Sequence, residues 1–388
     1  MNEKSDEPTN QPSEMSQPEA QEQPKYQVVS PDELTQILEA HQKWVESDGK
    51  EGKQADLWKA NLQKANLRNA ILKGAYLRRA NLQRADFRGS QLQRAVLRGA
   101  KLQGADLLGA DLQEADLRLA DLQKADLRLA KLQGADLLGA KLQRADLRGA
   151  NLQGADLVYA HLQKADLQEA NLVGAKLQEA NLGFAQLQEA NLNGANLQEA
   201  NLRLADLQEA DLRFAQLQGA DLLGAKLQRA DLRDANLQGA DLVYAQLQEA
   251  DLQGANLNGA KLQEANLGFA QLQEAHLNGA KLQEANLSFA QLQEANLNGA
   301  KLQGADLVYA QLQEANLFGA KLQEANLGFS QLQEANLNGA NLRGAELKHT
   351  NLEDAEGLTQ GQLDGACGNE GTKLPPRFSI KLCTDDSK

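Results

Sequence analysis

Leucine occupies every fifth position of a long central stretch of the chain. The series runs from Leu57 to Leu352 over sixty positions, and Phe87 is its one exception. The residue two places before each leucine is alanine, except at Ser90, Ser330 and Thr350. The chain is therefore an internal repeat of five residues, and its elements must be predicted from that period.

A period of five residues fits neither an α-helix nor a flat strand. Successive leucines would lie about 140° apart around a helix, so they could not form one apolar stripe. In a flat strand side chains alternate, and because the period is odd, Leu57 and Leu62 would face opposite sides. Within one repeat, however, alanine and leucine have the spacing of a strand. The pattern predicts a chain that turns once in every repeat and winds into a coil with alanine and leucine inside.

A longer period gives the number of sides of this coil. Residues 261 to 340 contain four near-copies of a unit of twenty residues, which begin at Lys261, Lys281, Lys301 and Lys321. Equivalent environments thus return after four repeats, which predicts a coil with four short sides. Sixty repeats would make about fifteen coils, and a strand spacing of roughly 4.8 Å gives a rod on the order of 70 Å long.

The repeated unit A(D/N)LXX, as in ADLQEANLVGAKLQEANLGFA, resembles the pentapeptide-repeat family over about three quarters of the chain. The resemblance implies an all-β fold, a right-handed quadrilateral β-helix (solenoid) with the leucine and the preceding alanine pointing inward. It does not imply one function, because the family includes DNA-mimicking protectors of topoisomerases, effectors and members of unknown role.

The two ends of the chain differ from the repeat. Residues 1–25 are polar and are expected to be a disordered tail, 26–54 an N-terminal capping helix and linker, 55–354 the β-helix, and 355–388 a C-terminal cap and tail. Ser30 is the expected N-cap of the first helix, and Thr359 that of a short helix in the C-terminal cap. The first helix should cover the open end of the leucine stack; membrane or partner binding is the alternative.

Three apolar residues on one outward side of the early coils, Trp58, Tyr76 and Val96, call for a cover. The capping helix or the segment from Tyr26 to Val29 is the expected cover, and a protein partner is the alternative.

Cysteine content and hydropathy indicate in which cellular compartment the protein is expected. Cys367 and Cys383 are the two cysteines, which favours a reducing compartment, and their spacing does not decide whether they pair. No apolar run is long enough for a signal peptide or a membrane span. We therefore expect a cytoplasmic protein without membrane insertion.

Charge is distributed unevenly along the repeat. Residues 51–150 carry 19 Lys and Arg against 11 Asp and Glu, whereas 151–350 carry 13 against 24. In the basic head, two arginine columns with spacings of twenty residues or a multiple of twenty could bind phosphate: Arg68, Arg88, Arg128 and Arg148 on one side, and Arg78, Arg98 and Arg118 on another. Neutralisation by the neighbouring aspartates is the favoured interpretation, because no aromatic residues interleave these arginines to stack on bases. Nucleic acid is accordingly the less favoured partner.

The acidic body raises the hypothesis of a DNA mimic. Glu274, Glu294, Glu314 and Glu334 form one column of residues twenty apart. B-DNA carries one negative charge per about 1.7 Å, or nearly three for each coil rise. The body carries about one net negative charge per coil, and a lysine column lies one side away. A mimic that binds a type II topoisomerase such as gyrase is therefore kept as the alternative function.

A further column consists of aromatic residues: Phe269, Phe289, Tyr309 and Phe329. They occupy the last position of their repeats, which points outward in the family, so we expect four rings stacked in a row. Self-stacking that stabilises the coils is the favoured interpretation, and a stripe that binds a protein partner or a second copy is the functional one.

No constellation suited to catalysis is present in the sequence. The four histidines are dispersed, and no Cys/His cluster or phosphate-binding glycine loop occurs. We expect no enzyme, no cofactor and no metal, but a structural or protein-interaction rod with an unidentified protein partner. It would be a monomer or an end-to-end or side-by-side homodimer.

Overall fold

A computed structural model describes residues 26–384, so the N-terminal tail expected to be disordered lies outside the described residues. The elements follow the chain in the order β1 (Gln27–Val28), α1 (Pro31–Glu46), β2 (Ala60–Asn61) and α2 (Gln360–Asp364). Between β2 and α2 the pentapeptide pattern governs the backbone.

Parallel bridges join residues twenty apart along the repeat, from Asp56 with Tyr76 to Asn336 with Glu356. One coil therefore holds four repeats, as the longer sequence period predicts. Each side contributes a single ladder residue, because the rest of the repeat is used to turn. Within residues 26–384 only β1 and β2 count as strands, each of two residues. The predicted β-solenoid is thus built from isolated bridges and not from continuous strands.

The repeat that contains Tyr309 shows how the backbone satisfies its amide groups when Asp precedes the leucine. In the repeat that contains Tyr309, three N–H groups donate to carbonyls of the neighbouring coils at 2.7–2.9 Å. The N–H of Ala310 closes the turn on the Leu307 carbonyl at 2.9 Å. The remaining N–H, of Val308, donates to Asp306 Oδ1 at 3.1 Å. Asp and Asn are therefore turn residues here, as their small hydrogen-bonding side chains predict.

The core of the rod is the predicted stack of leucine and alanine. The leucines of the repeat are at most 3 % exposed, and Phe87 is fully buried among them. Two of the three hydroxyls that replace alanine find an acceptor in the core: Ser330 and Thr350 both donate to the Leu327 carbonyl, at 2.6 and 2.7 Å. The buried Ser90 hydroxyl has no hydrogen-bond partner within residues 26–384. Burial at roughly 25 cal/mol per Å² makes this narrow, continuous core the main source of stability.

The N-terminal end of the stack is covered by α1. Its N-cap is Ser30, whose side chain accepts from the Glu33 N–H at 3.2 Å, as predicted. Leu34, Ile37 and Leu38 pack against the core. β1 pairs in parallel with β2 and so extends the ladder at the same end.

The cover expected over the early apolar side does not reach all of it. Trp58 and Tyr76 stay 43 % and 46 % exposed, although α1 and β1 lie nearby. The expectation was wrong for these two side chains, because the apolar residues of α1 that pack on the core, Leu34, Ile37 and Leu38, leave them uncovered.

The C-terminal cap continues the ladder beyond the last regular repeat. Thr359 caps α2 in a reciprocal pair with Gln362, as predicted. Cys367 and Lys373 form bridges with Glu346 and Asn351. Cys367 is joined to Cys383 in a disulfide, a pairing that their spacing alone left open. Disulfides are typical of oxidising compartments, so this pairing gives the expected reducing, cytoplasmic location no support.

No helix within residues 26–384 is both long enough and apolar enough to span a bilayer.

Candidate interaction surfaces

The last residue of every repeat forms a corner of the coil with left-handed backbone. From Lys59 to Asp354 these residues have φ between 51° and 74°, whether or not they are glycine. The hydrogen bond across each turn and the bonds to neighbouring coils hold them there. For an L-residue this conformation costs on the order of 1 kcal/mol, whereas glycine adopts it freely.

The predicted aromatic row is present at one corner of the C-terminal coils. The ring centroids of Phe269, Phe289, Tyr309 and Phe329 follow one another at 4.7, 4.8 and 4.7 Å, with planes within 16° of parallel. The side chains are still 40–57 % exposed, because stacking covers the ring faces and leaves the edges open. The stacked geometry is as expected, and a binding role stays a prediction.

His349 adds a fifth ring that the sequence analysis missed. Its imidazole stacks on Phe329 with centroids 4.5 Å apart and planes 8° apart. The sequence does contain the signal for this ring, because His349 follows Phe329 by twenty residues, the period of one coil. The C-terminal cap closes the row there: the His349 N–H donates to Asn369 Oδ1 at 2.9 Å. A Cβ on Gly371 would lie 2.1 Å from the imidazole Nδ1, so a larger residue there would displace the His349 ring from the row. These five rings are called the aromatic column below.

The aromatic column is framed by negative charge. The neighbouring corner on one side carries Glu264, Glu284 and Glu324, and the corner on the other side carries Glu274, Glu294, Glu314 and Glu334. Within the described part of the chain none of these glutamates forms an ion pair. The residue that precedes each ring is short in the four coils before the cap: Gly268, Ser288, Val308 and Gly328. The aromatic column is therefore an apolar ridge between two acidic ridges.

The arginine column of the basic head is largely neutralised. Arg128 Nη2 lies 2.6 Å from Asp126 Oδ2, and its Nε lies 3.6 Å from Asp146 Oδ2. Arg148 binds Asp146 and Asp166 in the same way, and Arg88 binds Asp86 and Asp106. The hydrogen bond from Arg88 lowers the pKa of the Asp86 carboxyl to about 2. Arg68, which follows Asn66, has no ion pair within residues 26–384. Anion binding by this column stays a prediction, and the ion pairs add no support.

No group of three or more His, Cys, Asp or Glu side chains within residues 26–384 is arranged to hold a metal ion. The columns can offer charge, hydrogen bonds and ring edges to another molecule.

The family model for pentapeptide repeats, described as eight copies, matches a series of segments that together span residues 53 to 356. The chain belongs to the pentapeptide-repeat family.

Solved structures of other pentapeptide-repeat proteins also match this chain. HetL of Nostoc sp. strain PCC 7120, involved in heterocyst differentiation regulation, is 44 % identical over 59 % of this chain and 89 % of its own, with a TM-score of 0.28. Rfr23 of Cyanothece 51142 is 36 % identical over 31 % of this chain and 64 % of its own, with a TM-score of 0.19.

A third similar structure is QnrB1, a plasmid-mediated fluoroquinolone resistance protein. It is 18 % identical over 48 % of this chain and 89 % of its own, with a TM-score of 0.25. No curated protein matches the pentapeptide-repeat chain.

Proposed function

We propose that this pentapeptide-repeat chain is a non-enzymatic, right-handed rod of about fifteen four-sided coils that binds a protein partner through its aromatic column. The observation that carries the proposal is a row of five half-exposed rings held at left-handed corners. Protein interfaces are enriched in aromatic residues, and buried aromatic anchors contribute much of their binding energy.

The backbone of the corner does not require a ring at these positions. Each non-glycine corner costs on the order of 1 kcal/mol, and each stacked pair of rings contributes about 0.5–1.5 kcal/mol. Burial of the covered ring faces adds to the stacking, so the rings stabilise the coils, although glycine forms the corner backbone equally well. The rod uses that solution at another corner of the same coils, at Gly259, Gly279, Gly299, Gly319 and Gly339. Compared with a glycine corner, an aromatic corner adds an exposed ring edge.

The proposal is tested by a pull-down that compares the wild type with Phe289→Gly/Tyr309→Gly. Glycine removes two rings and relaxes the left-handed corner, so the coil is expected to stay folded. The control is Phe184→Gly/Phe214→Gly, since these two rings are exposed at left-handed corners outside the column. We expect a partner retained by the wild type and the control to be lost with the column variant.

Light scattering measures the mass of the same three proteins and so tests whether the partner is a second copy of this chain. A dimer that only the column variant loses would identify the column as the self-association surface. Identical partners and identical mass for all three proteins would contradict a binding role.

The acidic corners favour a second candidate function, a DNA mimic that binds a DNA-binding enzyme such as gyrase. Their carboxylates form no ion pairs within the described residues, so their charge is fully presented. Residues 261–340 still carry only eight Asp and Glu against four Lys, or one net negative charge per coil. A gyrase supercoiling assay with titrated protein tests this function; unchanged supercoiling at micromolar protein would contradict it.

A further inference from the structure

Arginines that precede the corner residue follow a recurrent ion-pair rule in this rod. Such an arginine binds the aspartate two residues before it and the aspartate one coil later. Arg118 lies 2.6 Å from Asp116 and 3.2 Å from Asp136. Arg213 lies 2.7 Å from Asp211 and 3.5 Å from Asp231. Arg88, Arg128, Arg148 and Arg233 follow the same rule.

Arg78 and Arg98 break the rule. The two places that would hold the aspartates of Arg78 are occupied by Tyr76 and Val96, which bridge each other in successive coils. Arg98 follows Val96, and its second place is Asp116, which forms its ion pair with Arg118 and is influenced by Arg98 only through the longer-range attraction of the two charges. Neither Arg78 nor Arg98 forms an ion pair within the described part of the chain. The guanidinium group of Arg78 is therefore available to an outside anion, and that of Arg98 is only partly neutralised, by the charge of Asp116.

Exposed aromatic residues lie on the same side of the rod as these two arginines. The bridge between Asp56 and Tyr76 sets a register that places Trp58, Arg78 and Arg98 in one column. Lys59 and Arg79 form the adjoining corner, where the Lys59 N–H donates to the Arg78 carbonyl at 3.0 Å. Lys59 Nζ lies 4.5 Å from the Trp58 ring centroid. We call these residues the head patch: Trp58, Lys59, Tyr76, Arg78, Arg79 and Arg98.

We propose that the head patch binds single-stranded nucleic acid. Unpaired guanidinium and ammonium groups attract phosphates, and half-exposed indole and phenol rings stack on unpaired bases. The expectation that no aromatic residue accompanies the arginines is therefore wrong for Arg78 and Arg98, because Trp58 and Tyr76 lie on the same side of the rod. A duplex hides its base faces, so it would use the charges and leave the rings without a role.

The chemistry favours a nucleic acid over an anionic membrane. Trp58 and Tyr76 are more than half covered by the rod, so they present ring surface without protruding as an insertion wedge would. The head patch lies in the first coils, far from the aromatic column in the last ones, so it is independent of the proposed protein-binding function.

The test is fluorescence anisotropy with a labelled oligothymidylate of about twelve nucleotides, in KCl from about 50 to 200 mM. We expect binding that weakens with salt. Arg78→Gln/Arg98→Gln should weaken it at least roughly tenfold, because two phosphate contacts are lost. The matched control is Arg128→Gln/Arg148→Gln, which makes the same change in net charge at arginines that are already paired. The control should change affinity by less than about twofold.

Trp58→Leu tests the rings separately from the charges. It should weaken binding roughly tenfold while leaving the salt dependence unchanged, since a stacked base is lost and no phosphate contact is. Equal losses in the two arginine variants would overturn the proposal, because binding would then follow net charge and not the patch. Absence of oligonucleotide binding would also overturn it, as would binding to phosphatidylserine vesicles alone.

Discussion

At the scale of the residue, the corner position is the most permissive site of the repeat. It accepts Gly, Glu, Arg, Leu and Phe with nearly the same left-handed φ, because hydrogen bonds of the main chain set the turn. Side-chain identity there is therefore free to vary for surface chemistry, at a modest cost in strain. The leucine and alanine positions have no such freedom, since both are buried.

Leu129 provides a test of this strain. It is a corner residue with φ of 55° and is 64 % exposed. Leu129→Gly should be more stable than Leu129→Ala by about 1 kcal/mol, because alanine keeps the strain and glycine removes it. Urea unfolding of the two variants measures the difference.

Leu138 is the matched control, since it is 37 % exposed but precedes a corner and does not have positive φ. There the order should reverse, with glycine less stable than alanine by about 0.5–1 kcal/mol. Alanine equal to glycine at Leu129 would show that the corner is not strained.

At the scale of the element, the caps carry interactions that the repeat does not contain. His41 of α1 is fully buried, and its Nδ1 accepts from the Ala55 N–H at 3.0 Å. Its ring also stacks on Trp44, with centroids 5.5 Å apart. Burial lowers the pKa of His41, which the backbone carbonyl of Lys73 partly opposes. The neutral form of the His41 imidazole therefore holds α1 against the first coil.

Seating of α1 should depend on pH. The pKa of His41 is lower in the folded state than in the unfolded state. The stability that neutral His41 contributes is therefore complete above about pH 6.5 and is lost as the pH falls towards the folded pKa. The loss should reach up to about 1.4 kcal/mol per pH unit. Hydrogen exchange in residues 31–46 at pH 7.5 and 5 measures it. His41→Asn keeps an acceptor for the Ala55 N–H and should remove the dependence; equal dependence in both proteins would contradict the role of His41.

At the scale of the whole molecule, the rod is a one-dimensional stack whose two ends are closed differently. Each coil contacts only its neighbours, so the ends decide where unfolding begins. The N-terminal end relies on apolar packing of α1, and the C-terminal end adds the disulfide between Cys367 and Cys383. Between these ends, the basic head and the acidic body of the rod present opposite charge along one continuous coil.

The disulfide should stabilise the C-terminal cap selectively. It closes a loop with a sequence separation of 16, for which chain entropy gives about 3 kcal/mol. Cys367→Ser/Cys383→Ser should therefore speed hydrogen exchange around Phe378 and Ile380, which pack on the core. Exchange in α1 is the internal control and should not change. Equal acceleration at both ends would indicate a global effect and contradict a local closure.

Sequence alone determined the coil. Every repeat has the same environment, so the spacing of Leu57 and its successors gave the inward face, and the period of twenty gave the four repeats per coil and the stacked row from Phe269 to Phe329. Local turn chemistry and one repeated contact are sufficient for this, because register errors would expose the leucines.

Only the tertiary structure decided how the ends and the exceptions are arranged. The seat of His41 against Ala55, the pairing of Cys367 with Cys383 and the exposure of Trp58 depend on contacts that occur once. No period sets the register of such contacts, so the sequence pattern does not predict them. The same holds for Arg78 and Arg98 of the head patch, whose lack of ion pairs within the described residues depends on the side-chain geometry of the neighbouring coils.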